Sequence, residues 1–258
     1  MRYILARANR DVLQQFACSK MLLAVDFDGT LAPIVADPAR AVMRGSTRRL
    51  LREAAKEHPC VVISGRARAD VLRRVRGTGV AEVIGSHGIE PWHAAPPALR
   101  AVRGWRAELE RRLAGLQGVI IEDKGLSIAV HYRRSRERRK AREQIHEAAA
   151  HLDRVRLVGG KLVLNVLPIG APDKGVALEM ARTRLGCDTA VYIGDDDTDE
   201  DVFALDQPGQ LLTIRVGRKR GSAASYYIRA QAEIDRFLRA LLVRASRPQT
   251  RRGRRSSA

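Results

Sequence analysis

Aromatic side chains make up only 4% of this 258-residue chain, and no apolar run reaches the roughly 20 residues that span a bilayer. A protein built on membrane-spanning helices is therefore not expected. Cysteine is equally sparse. Cys18, Cys60 and Cys187 are odd in number and far apart, which argues against a disulfide framework and fits a reducing cytoplasm. The segment from Met1 to Lys20 carries basic charge but no continuous apolar core, so no secretory signal is expected.

Positive charge, by contrast, is abundant. The formal net charge of +18 is concentrated in two places, between Arg133 and Arg142 and between Arg247 and Arg255. A polyanion-binding protein would use both as working parts, yet neither a groove-reading motif nor a set of stacking aromatics accompanies them. Nucleic acid is thus not an expected partner. The charge reads as a solvated helix face and a basic, disordered tail at 246–258, and its field attracts phosphorylated substrates.

The chain is organised around Leu22-Leu23-Ala24-Val25-Asp26-Phe27-Asp28-Gly29-Thr30-Leu31. An apolar run too short for a helix, ending in two acids and a glycine, reads as a buried parallel strand. Such a strand delivers carboxylates to the carboxyl edge of an open α/β sheet, where ligands bind. Asp26 and Asp28 share a face of an extended strand. Two anions held together need a cation, and magnesium takes one or two carboxylates plus phosphate oxygens.

From there β and α alternate. A helix over 47–58 is capped by Ser46, a strand over 60–63 runs into Ser64-Gly65-Arg66, and a helix over 67–75 leads to a short strand and the turn Gly85-Ser86-His87-Gly88. Near Pro91 the pattern changes. Pro96 and Pro97 read as a linker, 105–113 as a helix and 118–121 as a strand. The segment 126–133 alternates with period two, setting Ser127, Ala129, His131 and Arg133 opposite an apolar face. A basic helix over 135–152 is closed by Gly159-Gly160 into a strand over 161–166, which gives a separate half-exposed sheet. After a second linker, Asp173-Lys174-Gly175 opens a helix, a buried strand over 190–193 ends in the acidic run from Gly194 to Glu200, and a strand over 211–216 and a helix over 234–243 follow.

Asp26 with Asp28, Ser64 with Arg66, Lys174 at a helix start and the acidic loop from Asp195 follow one another in this order. Together they resemble the four motifs of the haloacid dehalogenase superfamily of phosphotransferases. Within it, Asp-Phe-Asp-Gly-Thr-Leu-Ala-Pro-Ile at 26–34, Gly-Ser-His-Gly-Ile-Glu at 85–90, Lys-Gly at 124–125, His-Tyr-Arg at 131–133 and Gly-Asp-Asp-Asp-Thr-Asp-Glu-Asp-Val-Phe at 194–203 are similar to the trehalose-6-phosphate phosphatases.

The resemblance implies an α/β fold, with a doubly wound, Rossmann-like parallel-sheet hydrolase core over 1–92 and 169–245 and an α+β cap inserted at 93–168. It also implies a magnesium-dependent phosphatase that hydrolyses trehalose 6-phosphate through an aspartyl-phosphate, with a trehalose-6-phosphate synthase as a partner, and leaves the oligomeric state open. Asp26 is expected to be the nucleophile and Asp28 the general acid and base. Mg2+ would sit on Asp26, the Asp28 carbonyl and Asp195, with Asp199 fixing metal waters or Lys174. Ser64 and Thr30 would bind phosphoryl oxygens and Lys174 would add a cation. Arg66 serves either the substrate or a nearby acid. His87, Gly88, Lys124, His131, Arg133, Lys161 and Asn165 match positions that face the sugar. The last cap strand departs from the family pattern: Asn165 replaces a glutamate and Leu167 a basic residue, which leaves another sugar phosphate as the alternative substrate.

Overall fold

A computed structural model of the chain describes residues 1–91, 96–160, 162–205 and 207–245. Lys161 and the basic tail at 246–258 therefore lie outside the described residues. The core begins with β1 (Arg2–Tyr3), α1 (Arg10–Ala17), β2 (Met21–Val25), α2 (Gly45–Glu57), β3 (Cys60–Ile63), α3 (Arg68–Val75) and β4 (Glu82–Ile84). An intervening unit follows, formed by α4 (Pro96–Arg112), β5 (Ile120–Asp123), β6 (Ile128–His131), α5 (Arg138–Ala150), β7 (Val155–Gly160) and β8 (Val163–Pro168). The core resumes with α6 (Lys174–Arg184), β9 (Thr189–Gly194), α7 (Glu200–Phe203), β10 (Leu211–Val216), β11 (Tyr226–Ile228) and α8 (Ile234–Ala245).

Among the described residues, seven strands form the core sheet in the order β1-β11-β10-β9-β2-β3-β4, every pair parallel. The uninterrupted apolar strands follow from coverage on both sides. Leu23 and Val25 of β2 face the layer of α1, α2, α3 and α8, while Leu22 and Ala24 face α6 and α7. All five β2 residues are buried, and each large side chain contributes about 1.5–3 kcal/mol by leaving water. From β2 the chain winds outward through β3 and β4, then returns to the other side of β2 with β9. Strand order thus reverses between β2 and β9, and the crevice at their carboxyl ends is where this architecture binds ligands.

The second sheet is antiparallel, in the order β5-β6-β8-β7, with α4 and α5 packed on one face through Trp105, Leu109, Ile145, Ile128, Val130 and Val166. The alternation in β6 thereby leaves His131 on the opposite face, toward the crevice.

Three local expectations need correction. The residue at the start of α2 is Arg44, which caps through no side chain. Ser46 lies inside the first turn, and the neighbouring Thr47 hydroxyl donates to Asp235 of α8 at 2.6 Å. Pro96 and Pro97 begin a helix instead of linking, because the first turn has no use for the N–H that proline lacks. Gly159-Gly160 does not close the basic helix into a strand but ends β7, which pairs antiparallel with β8. A Cβ on Gly160 would come within 2.8 Å of Val163 and 3.0 Å of the Asp196 carboxylate, so the strand needs glycine where it passes the core.

Candidate active site

The side chains at the crevice come from four strand ends and one helix start. Asp26 follows β2 and is held in the sheet by its N–H donating to Ile193 O at 2.9 Å. Asp195 follows β9. Between them the chain turns at Gly29, whose φ of +80° suits glycine, and a Cβ there would stand 2.1 Å from Asp195 Oδ2. Lys174 opens α6, with Asp173 accepting from Val176 N–H at 2.9 Å as the helix cap.

Lys174 is buried, 2% exposed, and donates to Asp26 Oδ1 at 2.9 Å and to Asp199 Oδ1 at 2.6 Å. Asp199 also accepts from the Tyr192 hydroxyl at 2.6 Å and, through Oδ2, from Asp196 N–H at 2.8 Å. Burial works against the charge of Lys174, but Asp199 and Asp26 outweigh it and hold its pKa well above the usual lysine value. For Asp26 burial dominates, with Asp199 and Asp195 adding to it. Its carboxyl is pushed well up even though Lys174 pulls the other way. One lysine therefore leaves the cluster with surplus negative charge.

Carboxylate oxygens of Asp26, Asp195 and Asp199 lie within 4.8 Å of one another. These are hard oxygen donors of the kind that magnesium takes. Asp199 already accepts three hydrogen bonds, which uses most of its roughly four lone-pair positions. Asp26 and Asp195 are therefore the better placed donors. The Asp28 carboxylate lies outside this group, because Arg66 grips it with Nε at 2.6 Å and Nη2 at 2.7 Å. Arg66 also donates to Asp70 Oδ2 at 2.9 Å, and it faces the cleft as well.

A cleft of about 480 Å³ opens above the cluster, between the two sheets. Asp26, Asp28, Arg66, Lys174 and Asp195 line its floor, and His87, Lys124, His131, Arg133 and Asn165 also face it. Lys124 donates to Gly65 O at 2.9 Å, and burial draws its pKa below the ordinary lysine value. His131 Nε2 pairs with Glu122 at 2.7 Å, a bond that lowers the Glu122 pKa. His87 rests against Gly65, where a Cβ would come within 2.5 Å of the ring. Neither of its ring nitrogens makes a hydrogen bond, although Asn165 lies beside it. Burial, then Lys124 and Lys174, keep the imidazole neutral by pushing its pKa well below the usual value. Asn165 donates to Val158 O at 3.3 Å.

Four expected residues stand off the cleft lining. Ser64 is buried, and its Oγ accepts from Arg66 N–H at 3.2 Å. The Thr30 hydroxyl is buried without a partner. Gly88 abuts the Asp173 carbonyl, and Asp199 sits beneath Lys174. Tyr192, Glu122, Asp70 and Arg215 escape the sequence reading. The only signal for Tyr192 and Arg215 is a polar group interrupting a buried apolar strand.

A doubly wound parallel sheet gathers a lysine and three aspartates at its switch point, under an inserted antiparallel sheet, and this is the fold of the haloacid dehalogenase-like hydrolases. A haloacid dehalogenase-like hydrolase from B. subtilis shares the fold, with a TM-score of 0.54 at 17% identity over 84% of this chain and 98% of that one. The C-terminal domain of C. albicans trehalose-6-phosphate phosphatase matches at a TM-score of 0.74 and 21% identity, covering 92% of this chain and 97% of the other. Trehalose 6-phosphate phosphatase RA3 of Zea mays is 32% identical over 252 residues, 86% of this chain and 70% of its own length. The trehalose-phosphatase family model matches residues 24–230. The chain belongs to this family, and so to the phosphoric monoester hydrolases.

Proposed function

We propose that the chain is a Mg2+-dependent phosphatase that hydrolyses trehalose 6-phosphate to trehalose and phosphate through an aspartyl-phosphate on Asp26. The observation that carries the reading is the buried convergence of Asp26, Asp199 and Lys174, with Asp195 alongside, at the floor of a cleft roofed by a second sheet. In this reading 1–92 and 169–245 are the catalytic core and 93–168 the cap. Three widely spaced cysteines that join no disulfide suit a cytoplasmic enzyme.

A carboxylate oxygen of Asp26 bonds to phosphorus as the bond from phosphorus to the sugar oxygen breaks, and that oxygen takes its proton from Asp28. Water then attacks the phosphoryl group and gives its proton to Asp28, freeing inorganic phosphate and regenerating Asp26. Bound Mg2+, held by Asp26, the Asp28 carbonyl and Asp195, would supply charge neutralisation between nucleophile and phosphate. Lys174 offsets part of the burial that disfavours the Asp26 charge and aligns its carboxylate. Ser64, whose oxygen already accepts from Arg66, keeps its proton for a phosphoryl oxygen, and the unpartnered Thr30 hydroxyl serves likewise. Each Asp28 oxygen gives one lone pair to the Arg66 fork and keeps another for the proton that it transfers. His87, Lys124, His131, Arg133 and Asn165 offer neutral and cationic hydrogen-bonding groups to sugar hydroxyls; Lys161 and Gly88 enter by resemblance.

Asn165, uncharged where the family resemblance implies a glutamate, favours a second reading in which another sugar phosphate is the preferred substrate. Phosphate release from trehalose 6-phosphate and from a panel of hexose and disaccharide phosphates, with Mg2+ and with a chelator, separates the two. Mg2+-dependent release, fastest from trehalose 6-phosphate, is expected. Release only from other sugar phosphates would overturn the substrate, and release in full chelator would overturn the metal.

A further inference from the structure

Arg215 interrupts the apolar run Leu211-Leu212-Thr213-Ile214-Arg215-Val216, and its side chain is only 6% exposed. A guanidinium drawn out of water needs its donors satisfied. Its Nη2 donates to the Asp195 carbonyl at 2.7 Å, and its Nη1 to the Asp196 carbonyl at 3.0 Å and to Glu200 Oε1 at 2.7 Å. Glu200 is itself anchored, accepting from Ala223 N–H through Oε2 at 2.9 Å. One planar fork on a central strand thus holds the backbone of the acidic loop at two successive residues and ties it to the start of α7. Bonds to carbonyls fix the path of the loop, and that path sets where the Asp195 side chain points. The tolerance is small, because the Asp195 carboxylate lies where a Cβ on residue 29 would be. Arg215 does not itself line the cleft.

We propose that Arg215 is a positioning residue, which aims the Asp195 carboxylate at the cation site beside Asp26 by holding the carbonyls of Asp195 and Asp196. The inference rests on the metal reading of that site. An arginine that merely stabilised the fold would lower the unfolding temperature on removal and leave cation affinity alone. One that positions a ligand changes the affinity itself, because the groups that orient metal ligands typically account for about 10- to 100-fold in binding.

The test is Mg2+ titration by calorimetry of the full chain and its Arg215→Lys and Arg215→Met variants, with metal-free unfolding temperatures measured alongside. Arg215→Met is expected to weaken Mg2+ binding by about tenfold or more. Arg215→Lys should fall between it and the wild type, since a point charge cannot reproduce the fork. KM for substrate at saturating Mg2+ should stay unchanged. If Arg215→Met does not fold, Arg215→Lys decides: weakened Mg2+ binding supports the assignment, and wild-type affinity overturns it. Variants that lose thermal stability but bind Mg2+ as the wild type does overturn the positioning role alone. A wild-type chain that binds no Mg2+ overturns the metal reading, and this inference with it.

Discussion

Arg66 holds Asp28 by both carboxylate oxygens, at 2.6 and 2.7 Å, while a third nitrogen of the same guanidinium donates to Asp70. This fork sets the rotamer of the group assigned to proton transfer, and its favourable charge is retained only while Asp28 is ionised. Arg66→Met should therefore lower kcat by about 10- to 100-fold through misplacement of Asp28, with the Mg2+ concentration needed for half-maximal rate unchanged. Arg66→Lys should recover part of the rate, because a point charge can hold one oxygen but not both. Steady-state kinetics across a Mg2+ titration read both quantities. An unaltered kcat in both variants would show that Asp28 needs no such support.

Asp26→Asn removes the nucleophile while keeping an oxygen to accept from Lys174. It also removes one charge from a cluster with surplus negative charge, so the fold should be at least as stable as the wild type without metal. Phosphate release should fall by about 10⁴-fold or more. Thermal unfolding and phosphate assays on the same preparation check both halves, and retained turnover would refute the covalent role.

Lys174 pairs with two buried carboxylates at once, and its removal strands both of them. Breaking a buried pair from one side costs about 3–5 kcal/mol. Lys174→Met should lose about that much stability in denaturant unfolding as well as activity. Adding Asp199→Asn should restore part of the stability and none of the activity, since it removes one stranded charge. If the double variant were no more stable than the single one, the loss would lie in packing and not in charge.

These relationships differ in how far the sequence exposes them. The end of β2 and the acidic loop after β9 are legible because an apolar strand breaking into acids is a local pattern, and the convergence of the two follows from the parallel order of the sheet. The grip of Arg66 on Asp28 joins residues 38 apart through side-chain rotamers, and no spacing rule reaches that. Arg215 looks like an imperfection in a strand until Asp195 and Asp196 are placed 20 and 19 residues away from it. β1 is two residues long, too short for any period, and exists because β11 offers it an edge. Prolines at the start of α4 and glycines at the end of β7 mislead for one shared reason. Both residues mark turns on average, yet here the first turn of a helix and a close backbone passage make use of them.

The helix layer should carry its own pH dependence, remote from the cleft. Burial pushes the Asp235 carboxyl up, but hydrogen bonds from Ser46 and Thr47 and the charge of Arg44 outweigh it and hold the pKa below the ordinary 3.8. A lowered pKa contributes stability that is full above the ordinary value and is lost as pH falls through the lowered one. Asp235→Asn should therefore be less stable than the wild type near about pH 6, with the gap closing toward about pH 3, as unfolding temperatures would show. A gap that stays constant would assign the effect to the Thr47 hydrogen bond alone.

Asn165 and Leu167 lie two apart on the same face of β8, yet they occupy different surroundings. Leu167 is fully buried against Ile89 and Leu126, and it does not line the cleft. A basic residue there would bury a charge, so Leu167→Lys should cost about 2–4 kcal/mol of stability without improving turnover of any sugar phosphate. Asn165 does line the cleft, next to the neutral His87 ring and not far from the cationic Lys124. A carboxylate at that position would meet positive potential on one side but would also face the Val158 carbonyl, to which Asn165 now donates. Asn165→Glu should therefore shift the ratio of kcat/KM between trehalose 6-phosphate and monosaccharide phosphates, while the Mg2+ requirement and the pH profile of kcat stay as they are. A ratio that does not move would mean that β8 takes no part in reading the sugar, and selectivity would then have to come from Lys124, His131 and Arg133 on the other side of the roof.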